Sequence, residues 1–320
     1  MNGNYFSKAS LLQQLLQEVE KHYALQPSPS LIHKMTAIFE KLPLEAINEW
    51  VMMLRSLNED HPEWQSFIEN LTVHETYFNR EQNVLDNIKN VILPEILKNK
   101  SQEKRISIWS AGCSSGEETY NLAIIAVEAL MKHLNLSHSH FSEKNIIDSG
   151  WTIRIIGTDL SKQVIRVAET GVYSNAIMGS FRSNTDNLLH YFDQKTDNVI
   201  EELSSNVKYY QIKPFIKSLV TFSQMNLLSK SPSALHFDMI ICRNVLIYFN
   251  DLNKKTIQNR FLSQMNENSA LILGTVDSCF LDTVNIFNHS GCRWYSKKSV
   301  WDNIYGTKNK VSAISGQEVN

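Results

Sequence analysis

Three runs of apolar residues with helical spacing fill the first part of the chain. The first run repeats at three- and four-residue intervals through Leu11, Leu12, Leu15, Leu16 and Val19. Such spacing places the apolar side chains on one helical face. Two further runs cover residues 31–42 and 44–57, and proline-containing stretches at 26–30 and 61–62 interrupt or end the helices. The pattern predicts an N-terminal helical domain over residues 1–70.

From about residue 100 the pattern changes to short apolar runs that alternate with helices. The apolar runs are residues 106–110, 151–157, 237–242 and 270–274. Helical periodicity follows three of them, over residues 117–133, 161–170 and 252–265. Nearly continuous apolar strands between helices are typical of a parallel sheet that is covered on both faces. Residues 71–320 are therefore predicted to form a doubly wound, Rossmann-like α/β domain.

Two stretches interrupt this alternation. Residues 198–222 hold three short segments, VIEEL, NVKYYQI and IKSLVTF, with no helix between them, which predicts a small antiparallel β insert. The outer edge of such an insert can accept an added strand from a partner peptide. Residues 135–150 are rich in Ser, His and Asn and are predicted to form a long surface loop.

Composition narrows the class of protein. Hydrophobic residues make up 42% of the 320 residues, which is enough for a globular core. The net charge of −2 means that the protein has no overall positive charge to attract nucleic acid. No apolar run reaches the ~18 residues of a membrane span, and the start lacks a signal-peptide pattern. The four cysteines form neither a C-x-x-C pair nor a disulfide framework, so we expect the reducing cytosol. Residues 1–70 contain five basic and nine acidic residues, a net charge of −4.

The sharpest local signal follows the first predicted strand. Between Trp109 and Tyr120 the sequence reads WSAGCSSGEETY, in which Gly112 and Gly116 mark a turn into a helix. Small residues there let a ligand approach free backbone N–H groups closely. The turn has neither a G-x-G-x-x-G nor a G-K-[ST] pattern, and its two glutamates would repel phosphate and attract a cation. Acidic residues in a first turn also complement the helix dipole, which remains an alternative.

Polar residues follow two other predicted strands. Asp159 lies just past the second strand, where a carboxylate can accept hydrogen bonds from ribose hydroxyls. The same residue is suited to cap the following helix. Arg243 and Asn244 leave the carboxyl end of the strand that begins near Asp238, and ligands of open α/β sheets bind at such ends. A surface turn is the alternative for the Arg-Asn pair.

Histidine and cysteine indicate no further centre. His133, His138 and His140 lack Cys or carboxylate companions at a fitting spacing, so we predict a solvated loop and no metal site. Cys113 and Cys242 flank the predicted ligand cleft. We interpret them as small buried fillers rather than nucleophiles.

Five short motifs occur in a fixed order along the chain. They are TYFNR at 76–80, AGCSSGEE at 111–118, GTDLS at 157–161, GVY at 171–173 and CRNVLIYF at 242–249. In order and spacing, over roughly residues 70–280, they resemble the CheR-type chemotaxis receptor methyltransferases. The helical N-terminal domain and the β insert resemble that family's layout as well. The resemblance implies transfer of a methyl group from S-adenosyl-L-methionine (SAM) to glutamate side chains on chemoreceptor cytoplasmic helices, with S-adenosyl-L-homocysteine (SAH) as product.

The resemblance also implies roles for individual residues around the methionine part of SAM. Thr76 and Arg80 would line the methionine end, and Glu117 would be the cofactor-contacting carboxylate of the turn. Asn244 would lie against the methionine part, and Tyr248 would face the methyl group. In the family the β insert tethers a receptor tail peptide, which makes such a peptide a possible partner here.

On the nucleoside side, the resemblance assigns the ribose to Asp159 and the adenine to Asn226 and Leu227. A glutamate acceptor is ionised at neutral pH because its ordinary pKa is about 4.3, so the reaction needs no general base. The sequence accordingly shows no Ser-His-Asp or Cys-His arrangement. Arg80 or Arg243 is a candidate for steering the acceptor carboxylate, with Arg80 given a positioning role, and Tyr248 is a candidate for orienting it.

The chain departs from the family pattern at several positions. His74 replaces a usual asparagine, Phe78-Asn79 replaces a double aromatic, and residues 274–277 read GTVD in place of glycine-histidine-serine-glutamate. The N-terminal domain is acidic, whereas family members are often basic there. Two alternatives follow: a methyltransferase of the same fold that acts on a protein outside chemotaxis, and a non-catalytic module that binds SAM or SAH.

Overall fold

The structure is a computed structural model that describes residues 7–72, 75–136, 143–182, 185–195, 207–229, 231–232 and 236–297. Its helices are α1 Lys8–Tyr23, α2 Pro29–Glu40, α3 Leu44–Ser56, α4 Pro62–Leu71, α5 Gln82–Asn87, α6 Leu93–Asn99, α7 Glu117–His133, α8 Glu143–Asp148, α9 Lys162–Thr170, α10 Asp186–Leu189, α11 Pro214–Ser218 and α12 Asp251–Ser263. Its strands are β1 Arg105–Ala111, β2 Thr152–Asp159, β3 Val172–Ser174, β4 Phe192–Lys195, β5 Tyr209–Ile212, β6 Val220–Gln224, β7 Phe237–Cys242, β8 Met265–Leu273, β9 Asn285–His289 and β10 Cys292–Ser296. A π-helical turn, Ile88–Ile92, joins α5 to α6, and a 3-10 turn, Leu246–Tyr248, follows β7.

The N-terminal helices begin where the sequence supplies capping groups. The Ser7 and Ser28 hydroxyls accept hydrogen bonds from the backbone N–H groups three residues on, which satisfies donors that the first turn leaves free. The periodicity did not single out α4. Its start is the His61-Pro62 pair, with His61 as N-cap and Pro62 in the first turn, where the missing proline N–H costs nothing.

The main sheet has seven strands in the order β6-β2-β1-β7-β8-β10-β9. The first five are mutually parallel, and β10 pairs antiparallel with both β8 and β9. This arrangement confirms the predicted doubly wound α/β class. The four apolar runs of the sequence became β1, β2, β7 and β8. After Arg105, β1 is buried at every position, as is β7, which is typical of strands covered on both faces of a parallel sheet. In β2, buried positions alternate with the exposed Thr152 and Arg154.

The small antiparallel sheet has different bounds from the predicted 198–222 insert. Its order is β3-β5-β4, so it begins at Val172, well before the predicted start. Within the IKSLVTF segment, residues 216–218 end α11 and residues 220–222 open β6, which pairs parallel with β2 in the main sheet. Alternation alone could not show this, because a short strand has the same pattern in either sheet.

Some predicted features lie outside the described residues. They are the VIEEL segment, His74, His138 and His140. Of the loop predicted over 135–150, the described part contains the short helix α8. Among the described residues, no helix combines the length and apolar character needed to cross a membrane.

Candidate active site

A cleft opens at the carboxyl edge of the parallel strands. It encloses about 940 Å³, including space open to solvent. Residues that end or follow four strands reach it: Gly112 after β1, Asp159 at the end of β2, Met225 after β6 and Arg243 after β7. Parallel strands deliver their carboxyl ends to the same edge, so separate sequence motifs meet here.

The turn after β1 is held against the end of β2 and the loop after β7. The Gly112 and Cys113 N–H groups both donate to the Thr158 carbonyl oxygen, at 2.7 and 2.9 Å. Gly112 has φ +81°, and a Cβ atom there would lie 2.3 Å from Cγ2 of Val245. Glycine is therefore required both for the backbone conformation and for the close packing.

Asp159 is fixed in the cleft by two backbone donors. The Ser114 N–H donates to Oδ2 at 2.9 Å and the Ser161 N–H donates to Oδ1 at 3.0 Å. The helix α9 is capped by the Ser161 hydroxyl rather than by Asp159. The structure thus places this carboxylate in the lining, as the sequence predicted.

The two glutamates that open α7 take different positions. Glu117, the predicted contact, is 3% exposed and does not line the cleft. Its carboxylate accepts hydrogen bonds from the Ser115 and Ser180 hydroxyls, both at 2.7 Å, and burial raises its pKa. Glu118 lines the cleft instead and accepts a hydrogen bond from Ser110 at 2.8 Å. Successive helical positions point about 100° apart, so only one of the two can face the site.

Arg243 is a buried cation that ties three segments together. Its Nε lies 3.0 Å from Glu118 Oε2, and its side chain is 3% exposed. Nη1 and Nη2 both donate to the Arg80 carbonyl oxygen, at 3.0 and 2.9 Å. Because Nη1 and Nη2 are bound to the Arg80 main chain and the side chain is buried beside Glu118, the geometry favours Arg80 over Arg243 as the residue that steers an incoming acceptor.

Of the nine described non-glycine residues with left-handed backbone conformation, four lie in the 79–81 segment, the turn after β1 and the loop after β7, which border the cleft. They are Asn79 at φ +61°, Glu81 at +55°, Ser114 at +49° and Asn244 at +59°. Each such residue costs roughly 1–3 kcal/mol, and such conformations concentrate at functional sites. The conformation of Asn244 turns the residue into the lining, where its amide donates to Glu81 Oε1 at 3.4 Å.

Thr76 and Arg80, which the resemblance assigned to the methionine end, and Tyr248, which it assigned to the methyl group, line the same cleft. The Arg80 guanidinium donates to the Glu75 carbonyl oxygen. Tyr248 lies half-buried in the 3-10 turn after β7. Burial raises the pKa of its hydroxyl, although the Arg80 charge opposes the rise, so the hydroxyl stays protonated at neutral pH. A protonated hydroxyl can donate a hydrogen bond to a carboxylate.

Asn226 and Leu227, predicted to frame the adenine, also line the cleft. The Asn226 side chain accepts from the Leu228 N–H at 3.0 Å and donates to the His22 carbonyl oxygen at 3.4 Å. Leu227 is 7% exposed. This corner of the cleft is therefore bound to the end of α1.

Sequence reasoning missed the segment between α1 and α2 as part of the site. Tyr23 and Leu25 line the cleft together with Phe249. Leu25 forms an antiparallel bridge with Phe249, and the Gln26 N–H donates to the Tyr248 carbonyl oxygen at 2.9 Å. No local signal marks these residues, because the contact joins positions more than 200 residues apart.

The cysteines and the described histidine that the sequence singled out contribute to packing. Cys113 and Cys242 are buried, and burial raises the pKa of both thiols well above the ordinary value, which fits packing rather than nucleophilic residues. The His133 ring packs edge-on against Trp151. Within the described part of the chain, no group of three or more His, Cys, Asp or Glu side chains is placed to hold a metal ion.

A family model and two similar relatives point to the same protein family. The family described as CheR methyltransferase, SAM binding domain, matches residues 74–296. A chemotaxis protein methyltransferase of Borreliella burgdorferi is 32% identical over 65% of this chain and 65% of its own length. Chemotaxis protein methyltransferase 1 of Pseudomonas aeruginosa is 29% identical over 77% of this chain and 80% of its own length. Among solved structures, the match to a TehB-like SAM-dependent methyltransferase from Corynebacterium glutamicum covers 74% of this chain and 100% of that chain, with 11% identity and a TM-score of 0.32.

The doubly wound sheet, the cleft at its carboxyl edge and the matched SAM-binding domain define a SAM-dependent methyltransferase. The chain belongs to the CheR methyltransferase family. Its cofactor is SAM.

The residues of the cleft fit that cofactor. A nucleoside needs a hydroxyl acceptor and an apolar surface, which Asp159 and the buried side chains of Leu25, Met225 and Leu227 provide. The described lining carries three carboxylates, Glu75, Glu118 and Asp159, and two guanidinium groups, Arg80 and Arg243, and this excess of negative charge is compatible with a cationic sulfonium.

Proposed function

We propose that this protein methylates glutamate side chains on the cytoplasmic helices of chemoreceptors, using SAM. The observation that carries the proposal is the meeting of Asp159, Asn226, Asn244, Arg80 and Tyr248 in one cleft, although they come from separate motifs. The names of the matched relatives, which are chemotaxis protein methyltransferases, support the substrate class.

The acceptor chemistry needs positioning more than proton transfer. When bound, SAM supplies an electrophilic methyl group: the carboxylate oxygen forms a bond to the methyl carbon, the carbon–sulfur bond breaks, and its electron pair leaves on the neutral sulfur of SAH. The acceptor is already an anion, and no histidine lines the described cleft. Orienting the reacting groups and excluding water can contribute about 7–11 kcal/mol to such a reaction.

We assign the nucleoside contacts to three predicted residues. Asp159 accepts hydrogen bonds from the ribose hydroxyls, since its carboxylate lines the cleft in an orientation that the Ser114 and Ser161 N–H groups fix. Asn226 and Leu227 frame the adenine, and their contact with the end of α1 supports the N-terminal segment as one wall of that pocket.

We assign the methionine end of the cofactor to other residues of the same cleft. Thr76 and Asn244 line that end, and Glu118 takes the first-turn position that the resemblance gave to Glu117. Arg80 positions the reacting groups, and the Tyr248 hydroxyl orients the acceptor carboxylate by a hydrogen bond.

The β3-β5-β4 sheet supplies a further contact in this proposal. Its outer strand β4 is exposed at Asp193, Gln194 and Lys195. Unpaired backbone groups of an edge strand can pair with an extended peptide. We assign this edge to a receptor tail peptide. The reaction takes place in the cytoplasm, which is consistent with four cysteines that are all free thiols.

A labelled-methyl assay tests the proposed substrate. Purified protein is incubated with radiolabelled SAM and membranes that contain chemoreceptors, and methyl label that alkali releases from the receptor band is counted. Label on the receptor supports the proposal, because methyl esters of glutamate are alkali-labile. An unlabelled receptor, with label on another protein, would favour an acceptor outside chemotaxis, an alternative that the net charge of −4 on residues 1–70 supports. SAM binding without label on any protein would favour the non-catalytic module.

A further inference from the structure

A glutamate carboxylate of the protein itself lies at the mouth of the cleft. Glu75 lines the cleft, and its side chain is 51% exposed. Its Oε1 lies 2.8 Å from Nη1 of Arg182. The Arg182 guanidinium also stacks on the Tyr77 ring, 4.2 Å from its centroid, and its Nε donates to the Gly179 carbonyl oxygen at 3.3 Å. These contacts hold the cation in one orientation, and its link to the cleft is the ion pair with Glu75, since Arg182 itself does not line the cleft.

This carboxylate is close to the groups assigned to the acceptor. The Glu75 charge raises the pKa of the Tyr248 hydroxyl and the Arg80 charge lowers it, so both side chains act on that hydroxyl. Arg182 and Arg80 both lower the pKa of Glu75, which is ionised at neutral pH. Arg243 is committed to Glu118 and to the Arg80 main chain. Two other guanidinium groups lie beside Glu75: that of Arg80, which lines the cleft and donates to the Glu75 carbonyl oxygen, and that of Arg182, which is paired to the Glu75 carboxylate.

We infer that Arg182 is the docking group for the acceptor glutamate and that, in the free enzyme, Glu75 occupies the acceptor's place. The inference rests on the proposed function, because it needs a carboxylate substrate. Glu75 has the same side chain as that substrate and already fits the guanidinium. Arginine presents a planar fork that binds a carboxylate in one orientation, which suits delivery of an oxygen toward the reacting carbon.

The ion pair between Arg182 and Glu75 has two opposite consequences for binding of the acceptor. An internal ion pair keeps the Arg182 guanidinium ordered and neutralised before the substrate arrives. It also weakens acceptor binding, since the substrate must displace a bound carboxylate. Removing Glu75 should therefore strengthen acceptor binding, whereas removing Arg182 should weaken it, and this opposite pair of effects distinguishes docking from simple support of the mouth.

The experiment measures kcat and the KM of a receptor cytoplasmic fragment for the full-length protein, with SAM affinity measured by calorimetry. Arg182→Ala is expected to raise the acceptor KM about ten-fold, equivalent to one charge-assisted contact, with kcat and SAM affinity changed less than about two-fold. Arg182→Lys should restore part of the loss, because it returns the charge without the fork. Glu75→Gln should lower the acceptor KM about three-fold.

Matched controls come from an exposed ion pair elsewhere, Lys255 to Asp282 at 3.1 Å. Lys255→Ala and Asp282→Asn should leave both constants unchanged. An unchanged KM in Arg182→Ala would overturn the inference. A raised KM in Glu75→Gln would also overturn it, because the pair would then only support the mouth. Wild-type protein that methylates no receptor would instead remove the proposed function itself.

Discussion

At the scale of single residues, the site depends on groups whose orientation the backbone fixes in advance. Both Asp159 oxygens receive a backbone N–H, from Ser114 and Ser161, so the carboxylate cannot rotate freely. A preorganised acceptor avoids the ordering cost that a mobile side chain incurs on binding. The two backbone hydrogen bonds therefore orient the carboxylate before the ligand binds.

Asp159→Asn tests this assignment. The variant keeps the size of the side chain but loses the charge and part of the acceptor capacity, so we expect SAM affinity to fall about 10–100-fold, in keeping with ~1.5–3 kcal/mol for hydrogen bonds to a charged group. Calorimetric titration with SAM measures the change. Asp148→Asn, an exposed carboxylate on α8, is the matched control. Equal affinity in the two variants would remove Asp159 from the ribose contact.

Tyr248→Phe separates orientation of the acceptor from packing. The ring remains while the hydroxyl is lost, so we expect kcat to fall about ten-fold, or ~1.4 kcal/mol, with SAM affinity nearly unchanged. Steady-state methyl transfer to a receptor fragment gives kcat, and SAH inhibition reports on the cofactor pocket. A variant as fast as the wild type would reduce Tyr248 to a wall of the cleft.

The glutamate pair at the start of α7 shows what residue-level prediction could and could not reach. The sequence indicated a carboxylate beside the turn, and one is present. Which glutamate faces the cleft depends on the direction in which α7 leaves Gly116, and burial of Glu117 under Ser180 depends on a contact with a residue 63 positions away. The ion pair of Arg182 with Glu75 is likewise set by tertiary packing.

At the scale of elements, the turn between β1 and α7 controls how closely neighbouring segments approach the ligand. Its backbone packs on β2 through Thr158 and on the loop after β7 through Val245. The same close approach leaves no space for a side chain at Gly112. The turn therefore contacts both β2 and the loop after β7, and a substitution in it should disturb the packing of both.

Gly112→Ala is expected to destabilise the protein by about 2–4 kcal/mol, because it combines a left-handed φ with a Cβ placed 2.3 Å from Val245 Cγ2. Urea unfolding measures the loss. The double variant Gly112→Ala with Val245→Ala should recover the steric part and retain the backbone part, and Val245→Ala alone completes the cycle. Strictly additive single effects would show that the predicted clash is absent.

Element prediction succeeded where local pattern and final environment agree. The bounds of α7 and β7 follow directly from periodicity and from a buried apolar run. It failed for β6, which is short and partly exposed at an edge of the main sheet and so resembles a strand of the small one. The hairpin of β9 and β10 had no distinctive signal, since its residues are mixed in character.

At the scale of the whole molecule, the sheet separates two hydrophobic cores. One packs α5, α6 and α7 with one face of the sheet and the small β3-β5-β4 sheet. The other joins the N-terminal helices to the opposite face, through residues such as Trp109, Phe237 and Phe261. The helical segment predicted over 1–70 thus shares a continuous core with the catalytic sheet. Binding of the cofactor between them should therefore stabilise the molecule as a unit.

The stability of the whole molecule should depend on pH through Asp277, which lies after β8. Burial raises the pKa of this carboxyl from 3.8 to about 6, against the lowering effects of the Gly274 and Asn244 N–H groups and of Lys254. The folded protein therefore holds this proton more tightly than the unfolded chain, and the stability due to Asp277 is lost as pH rises from about 4 to about 6.

An amide resembles the protonated carboxyl, so Asp277→Asn is expected to raise Tm at pH 7.5, with the difference from wild type shrinking toward pH 4. Calorimetric scans of both proteins at several pH values measure this, with the exposed Asp282→Asn as control. An Asp277→Asn difference that stays constant with pH would show that the folded carboxyl titrates at its ordinary pKa.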